Sequence, residues 1–175
     1  MTSPEPPLSI EPVVGWRVWY AVDDGWGGLS LSSVVHRTLW PQGEALSATC
    51  RRFRIPFWPF SHEKHDAPSE TCSCGIYAVK VPALRVYLPE HLAWSQLIPV
   101  IGRVSLWGSV HEYSSGWRAS YAYPERLFVP IVELGTRRAA QIIDQLRGYR
   151  VPIRAVESAT AGAVLEEVRT LAAAA

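Results

Sequence analysis

All three cysteines of the chain fall within residues 50–74, in "CRRFRIPFWPFSHEKHDAPSETCSC", with His62 and His65 between them. Thiolate sulfur and imidazole nitrogen are the donors that zinc takes in tetrahedral sites, and Cys3His is a common structural composition. Cys50, His65, Cys72 and Cys74 supply that set. Zinc is a borderline-soft d10 ion and accepts tetrahedral geometry without ligand-field cost, so three thiolates and one imidazole suit it. The C-x-C pair departs from the C-x2-C units of a zinc ribbon. The same four residues also suit a two-iron cluster ([2Fe–2S]), where histidine can replace cysteine on an iron. A third reading needs no metal: Cys50 ends a predicted strand and can be a buried small hydrophobe. Cys72 and Cys74 lie in polar "SETCSCG" and have no apolar period to join. His65 is closer in sequence to the cysteine pair and is preferred to His62, which is the substitute. Asp66 or Glu63 is placed to accept from the other ring nitrogen. Gly75 lets the backbone turn tightly after the last ligand.

Two other groupings can bind. Arg51 and Arg52 with Phe57 and Trp58 mix cations and aromatic rings, the residue types of interface hot spots, and point to a protein or peptide partner. Single-stranded nucleic acid is the weaker alternative, because no other segment extends the positive charge. Arg103, Trp107 and His111, with Trp117 and Arg118 opposite, form a candidate ligand pocket for a planar anion. Cross-strand Trp pairs that simply stabilise a sheet are the commoner use of such residues. No P-loop, Gly-x-Gly-x-x-Gly, nucleophile elbow or His-Glu-x-x-His occurs, and four protein ligands would close a zinc site to catalysis. The reading is of binding or regulation, with a redox or iron–sulfur sensor as the second class and an aromatic-pocket enzyme as the third.

The elements that must hold these residues read as β-rich. Eight Trp, seven Tyr and four Phe suit a sheet core. "VVGWRVWYAV" and "LSLSSVV", joined by "DDGWGG", predict a hairpin. "LWPQGEALSATC" predicts a turn and a third strand that ends at Cys50, while "IYAVK" fits strand or helix. A short helix is predicted over 89–96. Val104, Leu106 and Val110 alternate on one strand face, with Arg103, Trp107 and His111 on the other, and Gly108 suggests a bulge or a close backbone approach. "SSG" at 114–116 turns the chain into a return strand over 117–122. Further on, Thr136 caps a helix with Ala139, Ile142, Ile143 and Leu146 inward, closed by Gly148. A short edge strand follows around Pro152, and a second helix spans 158–174.

These elements give an α+β fold: an antiparallel β-barrel or curved sheet carrying a helical C-terminal unit. Residues 1–12 are a disordered lead-in, 13–130 a β-rich metal-binding domain and 131–175 an α-β-α unit packed on it. A net charge of +1 gives no global pull towards nucleic acid or an anionic membrane. "MTSPEPPLSIEP" lacks the basic and apolar regions of a signal peptide, so the expected location is cytoplasmic, where clustered cysteines favour metal over disulfide. "LWPQGEALSATC", "HDAPSETCSCGIYAVK" and "GRVSLWGSVHEYSSGWRASYAYPERLFV" together resemble a family of small bacterial proteins sharing this Cys…His-x-Ala-Pro…Cys-x-Cys-Gly-Ile-Tyr-Ala layout. The resemblance brings no activity, and implies only that His65 is preferred to His62.

Overall fold

The computed structural model describes residues 11–50, 65–88, 97–132 and 134–173. Eight strands form one mixed sheet. They are β1 (Val13–Asp23), β2 (Leu29–Ser33), β3 (Leu39–Trp40), β4 (Leu46–Ser47), β5 (Ile76–Val79), β6 (Ile98–Tyr113), β7 (Gly116–Pro130) and β8 (Ile153–Val156). β1 pairs with both β5 and β6, and β7 pairs with the same two, so these four close into a ring. β2 and β3 extend from β1, while β4 and β8 lie along β7. This is the α+β curved sheet that the sequence predicts.

The ring closes because β6 and β7 are long and bend. Their register shifts between Arg103 and Val104, and again between Trp107 and Val110. Gly108 sits in the second irregularity at φ 77°, a conformation glycine adopts without a Cβ penalty. At the β6–β7 turn, a Cβ on Gly116 would lie 2.1 Å from the Ala78 carbonyl oxygen, so only glycine allows β5 to approach.

Alternation along β1 sends successive residues to two cores. Trp19 packs edge-on against Trp40, with ring centroids 5.2 Å apart, in a core with Leu106, Ala122 and Leu127. Val18 points the other way, to Ile101, Phe128 and Val164. Helix α1 (Gly135–Leu146) covers the first core with Ile142 and Leu146. Helix α2 (Ala161–Ala173) covers the second with Val164, Leu165 and Val168. The C-terminal residues are thus continuous with the sheet, since β8 runs parallel to β7.

Several local expectations change. Thr136 lies inside the first turn of α1, whose N-cap is Leu134. Gly148 does not close that helix: a 3-10 turn over Arg147–Tyr149 follows, and Arg150 takes the left-handed cap at φ 55°. Gly148 instead leaves room for Gln42, whose Oε1 would lie 1.7 Å from an added Cβ. The third strand is reduced to β4 and stops before Cys50, and the return strand runs on to Pro130. "IYAV" is strand β5. The helix predicted over 89–96 lies outside the described residues.

Tyr149 ties the first core together. Its hydroxyl accepts from the Leu31 amide and donates to the Trp40 carbonyl, each at 2.8 Å, in a fully buried position. Tyr149→Phe leaves both backbone groups without that partner. The expected destabilisation is about 2 kcal/mol, measured by denaturant unfolding; a change within error would contradict this role.

Candidate metal centre

The four candidate ligands come from separate places in the fold. Cys50 follows β4, where the Ala48 amide bonds to the Ser120 carbonyl at 2.7 Å and anchors the segment on β7. Cys72 and Cys74 precede β5, and His65 begins the described segment leading to them. The ligand atoms of Cys50, His65, Cys72 and Cys74 all lie within 4.8 Å of one another. Cys50 Sγ and Cys72 Sγ are 3.7 Å apart, and His65 Nε2 is 3.2 Å from Cys74 Sγ. A tetrahedral ion with metal–sulfur bonds of about 2.3 Å requires sulfurs about 3.8 Å apart. A disulfide requires about 2.05 Å, and all three cysteines are free thiols. The donor set and its spacing fit a metal ion such as zinc.

The turn carrying Cys72 and Cys74 is held by its carbonyls. Arg118, only 5% exposed, donates to the Cys72 and Cys74 carbonyls and to the Tyr113 hydroxyl. Tyr77 takes the remaining carbonyl of the turn, donating to Ser73 O at 2.7 Å. With the carbonyls engaged, amides are turned to sulfur. A hydrogen bond from the Cys74 backbone amide is the main reason the Cys72 thiol is lowered to about 7. The Cys74 thiol is raised, first by burial and then by neighbouring Cys72. Three thiolates with a dication would sum to one negative charge, and the cation of Arg118 lies on the carbonyls of the same turn. Gly75, at φ 123°, makes the predicted turn, and a Cβ there would meet Pro68 at 3.1 Å and Arg118 at 3.3 Å.

The remaining predicted site residues are dispersed. Arg103 pairs with Glu125 at 3.3 Å. Trp107 stacks on Tyr121, with centroids 6.1 Å apart. His111 lies 3.4 Å from the Ser109 hydroxyl, and Lys80 sits over the Trp117 ring at 5.3 Å. Arg118 is committed to the cysteine turn. None of the five lines either of two cavities beside the cysteine turn. Simple alternation puts Trp107 and His111 on one face, but the bulge between them moves them to opposite faces. Trp107 pairs with Tyr121 and His111 with Arg118, three residues apart on β7. Arg51, Arg52, Phe57, Trp58, His62 and Glu63 lie outside the described residues.

Sequence reasoning gave Arg118 a different role and missed Arg17. Arg118 reads as a pocket cation because nothing local signals that its donors meet carbonyls of a distant turn. Arg17, on β1, is hidden in an apolar run; a lone charge within such a run is the signal available.

The fold and site together define a β-rich domain with a Cys3His cluster spaced for a metal ion. Compared with protein-family models, curated proteins and solved structures, the chain matches none. Among the described residues, no helix is long and apolar enough to cross a membrane.

Proposed function

We propose that the chain is a zinc-stabilised interaction domain. One ion held by Cys50, His65, Cys72 and Cys74 fixes both ends of the intervening segment to the sheet. Arg51, Arg52, Phe57 and Trp58, between the first two ligands in sequence, meet a protein or peptide partner. The observation that carries the metal reading is the convergence of four ligand atoms within 4.8 Å. A two-iron cluster divides its ligands into pairs on separate irons, whereas atoms converging this closely favour one ion. Zinc has no redox chemistry and four protein ligands leave no open position, so its role is to hold the chain.

A second reading is a thiol sensor at the same cysteines. It draws on the 3.7 Å separation of the Cys50 and Cys72 sulfurs and the lowered pKa of Cys72.

The interaction reading is tested by changing Arg51, Arg52, Phe57 and Trp58 to Ser in the full chain. The variant is expected to keep its metal content and melting temperature but lose the proteins captured by the wild type from a lysate. Unchanged capture contradicts the proposed surface; nuclease-sensitive capture would move the partner class to nucleic acid.

A further inference from the structure

Arg17 carries a charge with no ion-pair partner among the described residues. One terminal nitrogen donates to the Tyr77 carbonyl, the other to Ser33 Oγ at 2.9 Å, and the guanidinium lies 5.1 Å from the Trp40 ring centre. Its Nε is buried with no hydrogen-bond partner. Burial lowers its pKa to about 10, which leaves it charged at neutral pH. Bolting β5 to β2 accounts for two of its N–H groups; a guanidinium has five.

Two cavities meet at this side chain. The larger, about 430 Å³, has Arg17, Ser33, His36 and Thr38 on its wall, together with the cysteine turn. The smaller, about 290 Å³, is lined by Arg17 and by Trp16, Val34, Val35, Val79 and Tyr87. Arg17, His36, Ser73 and Tyr77 border both. Among the described residues, no carboxylate lines either one.

Ser33 adds a second donor. It is 5% exposed, and its Oγ already accepts from Arg17 and, at 3.0 Å, from Trp40 Nε1. Its own hydroxyl hydrogen is left for a third group. A half-buried cation with no ion-pair partner among the described residues and a spare hydroxyl donor converge beside an apolar chamber. Partial removal from water favours an anion at such a charge.

We propose that the joined cavities bind a small organic monocarboxylate, with the carboxylate on Arg17 and Ser33 and the apolar tail along Trp16, Val34 and Tyr87. A guanidinium is the side chain best matched to a carboxylate. One cation balances one negative charge, and the apolar walls select an organic acid over a mineral anion. The larger cavity shares a wall with the cysteine turn, so the site adjoins the Cys3His cluster, but its donors, Arg17 and Ser33, are not among the four candidate ligands.

The test is calorimetric titration of the full chain with hexanoate and benzoate, against hexanamide, benzamide and inorganic phosphate. The acids are expected to bind about tenfold or more tightly than their amides, as charge-assisted hydrogen bonds require. Arg17→Gln, with metal content unchanged, removes that preference. If this variant does not fold, Val35→Glu places a like charge at the rim of the smaller cavity, at a residue 68% exposed. It is expected to weaken hexanoate selectively. Absence of acid binding, equal binding of acid and amide, phosphate binding as tightly as hexanoate, or acid binding untouched in the folded variants would overturn the proposal.

Discussion

Cys74→Ser is expected to lower the melting temperature by about 6–12 °C, and to do so only in protein that has carried metal. Its sulfur is one of four atoms that close the chain between Cys50 and Cys74 around one centre. A crosslink over a loop of this size contributes about 3 kcal/mol through the unfolded chain, and each kcal/mol moves Tm by about 2–4 °C in a chain of this length. The loss is bounded, because both hydrophobic cores are built without the cluster residues. The variant therefore folds, and protease cuts first between residues 51 and 71. Chelation of the wild type should reproduce both effects and leave Cys74→Ser unchanged. Wild-type stability in Cys74→Ser, with an unchanged digest, would show that the cysteines hold nothing.

Arg118→Met is expected to weaken zinc binding by about 10- to 100-fold, the usual cost of losing a residue that orients the ligands of a metal. Stability should fall as well, by about 3 kcal/mol, because the Cys72 and Cys74 carbonyls lose a buried donor. Methionine retains the length of the side chain but neither charge nor donors. The two effects separate in a competition against a coloured chelator, which reads affinity in the folded fraction. Lysine cannot substitute, since a point charge lacks the fork that reaches two carbonyls and the Tyr113 hydroxyl. Metal affinity unchanged in Arg118→Met, with only stability reduced, would make Arg118 a packing residue.

The cysteine cluster was legible because its signal is chemical and local. Two of the three thiols, Cys72 and Cys74, lie in a polar, glycine-terminated stretch with no hydrophobic reason to be together, and His65 is brought within 3.2 Å of Cys74. The sheet was legible from alternation and turns: Gly108 marks a bulge as expected, and α2 buries Val164, Leu165 and Val168. The separation of Trp107 from His111 has a plain physical origin. Strand periodicity assigns faces only while register is continuous, and a single extra residue at the bulge reverses every assignment beyond it. Trp107 and His111 were separated in this way. Trp117 and Arg118 are successive residues of one strand, so they point to opposite faces and cannot share a box. Arg17 was illegible for a different reason. A cation in an apolar strand can be paired, exposed or waiting for a ligand, and only the three-dimensional surroundings distinguish these.

Cys50, His65, Cys72 and Cys74 are proposed to hold a single zinc ion. The most direct test is to purify the protein anaerobically without added metal, and to record elemental content and the visible spectrum of one sample. One zinc per chain in a colourless solution is the predicted result. Iron with sulfide and a visible absorption band, or a fully stable protein with no metal, would contradict it.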